Sequence, residues 1–147
     1  MEHLYVFIDI SGNWDFSDKG TRNLVLTSVM CTDVDPGILD LYRLKHDVIS
    51  GGTDIEYYHA AEDRQEVRNR VFDVISNLSN VRVDSVVVEK RKAAPSIRLL
   101  NRFYPMMIEK LLKYPFAPQG TDVRRFDKVF IFMDRESDSR NEREALE

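Results

Sequence analysis

The sequence predicts an α/β layer structure opened by an antiparallel hairpin and flanked by helices. Three observations predict it. Short runs rich in β-branched and aromatic residues alternate with longer stretches whose apolar residues recur every three or four positions. The first two short runs follow one another with only a polar, turn-rich segment between them, the pattern of a hairpin. The later runs are separated by helical patterns, and such alternation builds a layered sheet with crossover connections.

His3 to Asp9 reads as a mostly buried strand ended by the turn signal Ser11-Gly12-Asn13. A second strand spans Asn23 to Thr32, and the polar segment Trp14 to Arg22 is the long hairpin connection. Asp35-Pro36 opens a helix, with Asp35 suited to cap it and Pro36 to the first helical position. Ile38, Leu41, Leu44, Val48 and Ile49 give this helix an apolar stripe, and Gly51-Gly52 stops it. Ile55 to His59 is a short strand candidate. The clearest helix runs from Ala60 to Leu78: Val67, Val71, Val74, Ile75 and Leu78 share one face, and acidic residues occupy its first turns.

Val81 to Lys90 is the next strand. A helix from Ser96 to Tyr114 carries Leu100, Tyr104, Met107, Ile108 and Leu111 on one face, and Pro105 predicts a kink or two abutting pieces. Phe126 to Asp134 is the last strand, and its continuously apolar Val129 to Met133 reads as central and buried on both faces. A new helix starts at Ser137, and the chain ends on an unfinished amphipathic pattern. Tyrosines and phenylalanines fall mainly on strand and helix-face positions and read as core.

At 147 residues the chain suits one domain, residues 1–147, able to bury roughly 68–70% of its unfolded surface. Its 43% hydrophobic content excludes a disordered chain, and six Gly and five Pro exclude a fibrous one. No apolar run approaches the ~18 residues of a membrane span, and no signal peptide opens the chain, so no membrane partner is expected. Cys31 stands alone and cannot form an internal disulfide, which points to the cytoplasm. A net charge of −4 argues against non-specific coating of nucleic acid. It leaves room for an enzyme that acts on nucleic acid, because a metal-dependent nuclease needs an acidic pocket with basic residues only at its mouth.

Two aspartates share one context: Asp9 and Asp134 each end an apolar strand. Ligands of open α/β sheets bind outside the carboxyl ends of strands, and two carboxylates on neighbouring strands could hold Mg²⁺ or Mn²⁺. The plainer reading is that each Asp begins a turn. His59-Ala-Ala-Glu62-Asp63 precedes the strongest helix, where His59 and Glu62 could orient a substrate or a metal-bound water, or simply supply first-turn acidity beside a surface histidine. Glu89-Lys90-Arg91-Lys92 could hold a nucleic-acid phosphate, or be a solvated charge run. No nucleotide-binding glycine loop, nucleophile elbow or cysteine-rich zinc site is present.

The opening Tyr5-Val-Phe-Ile-Asp9-Ile10-Ser11-Gly12-Asn13 resembles the start of a large, mostly bacterial and phage family, the domain-of-unknown-function family numbered thirty-eight hundred, whose first strand typically ends Asp-Glu-Ser-Gly. Further likenesses follow in order: Val25 to Val29, His59 to Asp63, the helix from Val67 to Leu78, a strand ending in Lys90, the Phe103-Tyr104 helix and a strand ending in Asp134. The resemblance implies a ribonuclease H-like fold, with two metal ions activating a water and stabilising the leaving oxygen of a phosphodiester. It makes Asp9 and Asp134 the catalytic metal ligands and Lys90 a substrate contact. Ile10 stands where the family usually has Glu. The family's C-terminal helix, with its last carboxylate, has no counterpart before Glu147, so a truncated or inactive product is expected as readily as an active one.

Three functions remain open. The leading one is a ribonuclease H-like, metal-dependent phosphodiesterase acting on nucleic acid, or a degenerate relative of one. The second is a non-catalytic interaction module that forms a homo-oligomer or binds a protein partner, through apolar surface that the absent helix leaves exposed. The third takes Asp9-x-Ser11-Gly12 as the phosphate loop of an actin-like or sugar-kinase-like domain, although such proteins need two domains.

Overall fold

A computed structural model of the chain describes residues 2–60, 62–113, 115–116 and 122–133. Its elements are β1 (His3–Ser11), β2 (Asn23–Cys31), α1 (Asp35–Ser50), α2 (Gln65–Ser76), β3 (Val81–Glu89), α3 (Leu100–Lys113) and β4 (Lys128–Met133). Short 3₁₀ turns occupy Lys90–Lys92, Pro95–Ile97 and Val123–Arg125. The fold is mixed α/β, with a four-stranded open mixed sheet in the order β3-β2-β1-β4. β1 and β4 run parallel, in register from His3↔Lys128 to Ile8↔Met133. Among the described residues no helix is long and apolar enough to cross a membrane.

The chain divides into two compact units, Met1–Met30 with Arg82–Glu147, and Cys31–Val81. In the first, alternation along β1 and β2 sends Leu4, Val6, Ile8, Leu24, Leu26 and Met30 into the core. Phe103, Met107 and Leu111 of α3, spaced at i, i+4 and i+8, form the stripe that meets them. That stripe keeps Met107 and Leu111 of the face expected from the sequence and has Phe103 in place of Tyr104. The opposite sheet face carries cross-strand aromatic pairs. Tyr5 stacks on Phe130 with ring centroids 5.4 Å apart, and Phe7 on Phe132 at 5.1 Å. In the second unit, Leu44 and Val48 of α1 pack with Ile55 and with Val67 of α2.

Several sequence expectations are corrected. Ile55 to His59 is loop rather than strand: Ile55 is buried in the second core and the Tyr58 hydroxyl donates to the Leu41 carbonyl at 2.8 Å. α2 starts at Gln65 rather than Ala60, because the segment before it closes a turn of its own, described below. The N-cap of α1 is Val34, and the Asp35 N–H donates to Asp33 Oδ1 at 3.0 Å. α3 passes through Pro105 as one helix, and the separate piece before it is the Pro95–Ile97 turn. Among the described residues β4 is an edge strand, not a central one. It pairs with β1 on one side, and all six of its residues are exposed. Tyr42, Tyr57 and Phe72 are surface residues as well. The expected strand end at Asp134 and helix from Ser137 lie outside the described residues.

Phe103 is fully buried beneath the sheet and meets both Trp14 and Phe16 edge-on. Phe103→Ala is therefore expected to cost about 3–5 kcal/mol in urea unfolding, the range for deleting a core aromatic ring. A loss under 1 kcal/mol would show that α3 does not close this core.

Candidate functional site

β1 carries Asp9, expected at the strand end but lying two residues inside it, because the strand runs on through Ile10 to Ser11. Ile8 is buried and Ile10 packs against the first core, so the alternation turns Asp9 to the opposite face, where it is exposed. The same alternation explains Ile10: its position belongs to the core face, and an apolar side chain fills it. The other aspartate, Asp134, lies outside the described residues. The last described pair of the parallel register, Ile8↔Met133, immediately precedes each of these two aspartates in the sequence.

The connection from β1 to β2 is a braced loop. Asn13 and Thr21 bind each other across it, the Asn13 N–H donating to Thr21 Oγ1 and the Thr21 N–H to Asn13 Oδ1, both at 3.1 Å. The Asn13 amide is thereby engaged within the loop, which takes a donor from the phosphate-loop reading of Asp9-x-Ser11-Gly12. Trp14 and Phe16 turn inward onto Phe103, and Trp14 also meets Tyr104 at 5.5 Å. Two glycines let the strands of the loop close. Gly12 has φ +101°, and a Cβ there would sit 2.6 Å from the Asn23 carbonyl oxygen. At Gly20 a Cβ would fall 1.8 Å from the Asp15 carbonyl oxygen.

Lys90 closes this loop from below. It follows the last residue of β3, its N–H donates to the Arg22 carbonyl at 3.0 Å, and its side chain is 1% exposed. The ammonium donates to Asn13 O at 2.7 Å, Asn13 Oδ1 at 3.0 Å and Asp15 O at 2.7 Å. A lysine has three such donors, and all are engaged. Burial pushes the Lys90 pKa down, opposed by the nearby Asp15 carboxylate. The rest of the basic run is also paired. Arg91 lies 3.2 Å from Asp18, and Lys92 lies 2.7 Å from Glu89, which also meets Arg22. These surface ion pairs are worth little individually, but they give Arg91 and Lys92 partners within the protein.

His59 and Glu62 belong to the second unit. The His59 N–H donates to Asp63 Oδ2 at 2.7 Å and the Asp63 N–H to the His59 carbonyl at 2.9 Å, closing a turn ahead of α2. His59 Nδ1 is buried without a partner among the described residues, while Glu62 is exposed. Glu62 precedes α2 rather than occupying its first turn, and the N-cap, Arg64, makes no side-chain capping bond. Among the described residues no group of three or more His, Cys, Asp or Glu side chains gathers as a metal cage. No family model, curated protein or solved structure matches the chain.

Sequence reasoning missed the partners of Lys90. The turn signal at Asn13 announced a bend, but nothing in the local pattern announced that its carbonyl and amide oxygens receive a lysine 77 positions away.

The loop is expected to loosen in acid. Hydrogen bonds from Ser17, hydroxyl first and backbone N–H second, hold the Asp15 carboxyl below its ordinary value, and Lys92 and then Arg22 do the same for Glu89. A carboxyl depressed in the folded state stabilises fully above its ordinary value and loses that contribution as pH falls through the lower folded value. Emission of Trp14, the single tryptophan, should hold steady from neutrality to about pH 4 and shift red below it. A shift completed nearer neutrality would contradict this assignment. Gly20→Ala should shift the same emission at neutral pH, because the Asp15 backbone has to move.

Proposed function

We propose that the chain is a ribonuclease H-like, divalent-metal-dependent phosphodiesterase acting on nucleic acid, or a degenerate relative of one, with Asp9 and Asp134 as its metal-binding carboxylates. One observation carries the reading. β1 and β4 are parallel neighbours whose described register ends at Ile8↔Met133, and an aspartate follows each of these residues in the sequence. Asp9 stands near the carboxyl end of β1, and ligands of open α/β folds bind outside the carboxyl ends of strands. The likeness to family thirty-eight hundred adds to this, since it makes the same two residues ligands.

Asp9 is a hard oxygen donor on a rigid strand, the donor type that Mg²⁺ and Mn²⁺ prefer. The described residues supply no three-donor cage, so an ion here would rest on Asp9 and Asp134, with water completing its shell. The chemistry such an ion supplies is a more acidic water and a polarised phosphoryl oxygen. The chain's own part is to hold Asp9 toward solvent, which the core-face anchors Ile8 and Ile10 on either side of it accomplish. Lys90 enters this reading as a support, because its ammonium is already shared among loop oxygens.

A second reading, self-association, is favoured by one observation: among the described residues β4 is an edge strand, and its Val129 to Met133 are 37–49% exposed and carry no charge. Uncharged apolar edges template pairing with another copy. Light scattering would report a dimer reduced to monomer by Ile131→Lys, and a monomeric wild type would end this reading.

For the leading reading, thermal unfolding is followed with EDTA, Mg²⁺ and Mn²⁺ for the wild type and for Asp9→Asn with Asp134→Asn. Metal bound only by the folded state stabilises by about 2.7 kcal/mol at a hundredfold excess over Kd. The expected result is a Mn²⁺-dependent rise in Tm that the double variant lacks, together with metal-dependent cleavage of nucleic acid lost in either single variant. Cleavage that survives both substitutions would sink the assignment.

A further inference from the structure

We infer that Lys90 is a positioning residue, the internal peg that sets the course of residues 12–22 and through them the surroundings of Asp9 near the end of β1. The part that concerns Asp9 rests on the functional reading above, whereas the part that concerns the loop stands on geometry alone.

Three features of the first unit carry the inference. The Lys90 side chain is almost wholly buried, so its charge must be answered inside the protein. The answer comes from oxygens of one segment only, two on Asn13 and one on Asp15, at 2.7–3.0 Å. The same Asn13 Oδ1 also accepts the Thr21 N–H from the returning side of the loop, so a single amide oxygen joins both sides of the loop to the ammonium. Lys90 lies at the end of β3 while the loop leaves β1, two strands away in the sheet. The peg thus fixes the loop against a strand that is not its own neighbour in sequence. The face of Phe16 lies 5.8 Å from the ammonium and shields it further.

The arrangement asks for a compact ammonium rather than for charge as such. A guanidinium is a planar fork suited to bidentate acceptors, and it cannot aim three N–H bonds at oxygens clustered around one point. Because Trp14 sits between the two anchored residues, Asn13 and Asp15, its fluorescence reports the loop directly.

The test uses Lys90→Met, Lys90→Arg, Asn13→Ala and the Lys90→Met/Asn13→Ala double variant in the full chain. Far-UV circular dichroism establishes folding, and acrylamide quenching of Trp14 reads the loop. Quenching is expected to rise at least about twofold in Lys90→Met and in Lys90→Arg, with the double variant no worse than the larger single effect, as for residues in one network. Wild-type quenching in a folded Lys90→Met or Lys90→Arg, or additive effects in the double variant, would overturn the inference. Should the Lys90 variants fail to fold, nuclear magnetic resonance of the wild-type ammonium decides: slowly exchanging Lys90 Nζ protons support the peg, and solvent-like exchange refutes it. The link to Asp9 is read separately, as a several-fold weaker Mn²⁺ midpoint in the thermal titration of folded Lys90→Met. An unchanged midpoint would overturn that link. A wild type blind to Mn²⁺ would instead overturn the metal reading of Asp9 and, with it, the link, leaving Trp14 to decide the peg.

Discussion

A buried ammonium is the constraint on which the first unit turns. Taking a lysine charge out of water costs several kcal/mol unless hydrogen bonds replace the lost hydration. Hydrogen bonds to charged groups contribute about 1.5–3 kcal/mol each, so three of them are of the size needed to offset the cost. Lys90 obtains all three from Asn13 and Asp15, and this demand explains otherwise arbitrary features of the loop. The backbone must present two carbonyls and one amide oxygen to a single point. It therefore bends sharply at Gly12 and again approaches itself at Gly20, where no side chain has room. Trp14 and Phe16 then fall on the inner side and complete the packing over Phe103. Removing the charge while leaving the carbonyls in place would strand buried acceptors, which is the costly half of breaking a network.

The same physics decides what the basic run Glu89 to Lys92 is. As a string of letters it combines one acid with three bases and invites a phosphate. In space the run breaks out of β3 into a 3₁₀ turn, which sends consecutive side chains in different directions. Lys90 goes inward, Arg91 meets Asp18, and Lys92 folds back on Glu89. A phosphate arriving there competes with partners already in place.

The sequence made the coarse fold legible wherever burial imposed a period. β1, β2, β3 and α1 were expected within a residue or two of where they lie, because alternation and the i, i+3, i+4 stripe are direct imprints of one-sided burial. It misled where a local pattern had two physical origins. Ile55 to His59 is apolar and aromatic because Ile55 and Tyr58 anchor a loop onto α1 and α2, not because it pairs in a sheet. Val129 to Met133 is apolar without interruption, which suggests burial on both faces, yet the strand lies at the edge of the described sheet and is exposed throughout. Of the candidate site, the place of Asp9 toward the carboxyl end of β1 was legible from the apolar run before it, although the strand runs on to Ser11. The fate of Lys90 was not, because it depends on a contact between residues 75 and 77 positions apart.

Asp9 and Lys90 illustrate opposite fates for charged residues. Asp9 lies between Ile8 and Ile10 on β1, both on the core face, so the pleat carries its carboxylate to the other side of the sheet and into water. Lys90 opens the 3₁₀ turn just beyond β3, two positions after Val88, which packs against the core, and its side chain is buried. A carboxylate on a rigid strand with access to solvent is free to meet a ligand, whereas an ammonium on the core side must be satisfied from within. The exposed charge faces water, and the buried one holds the loop that leaves β1, two strands away.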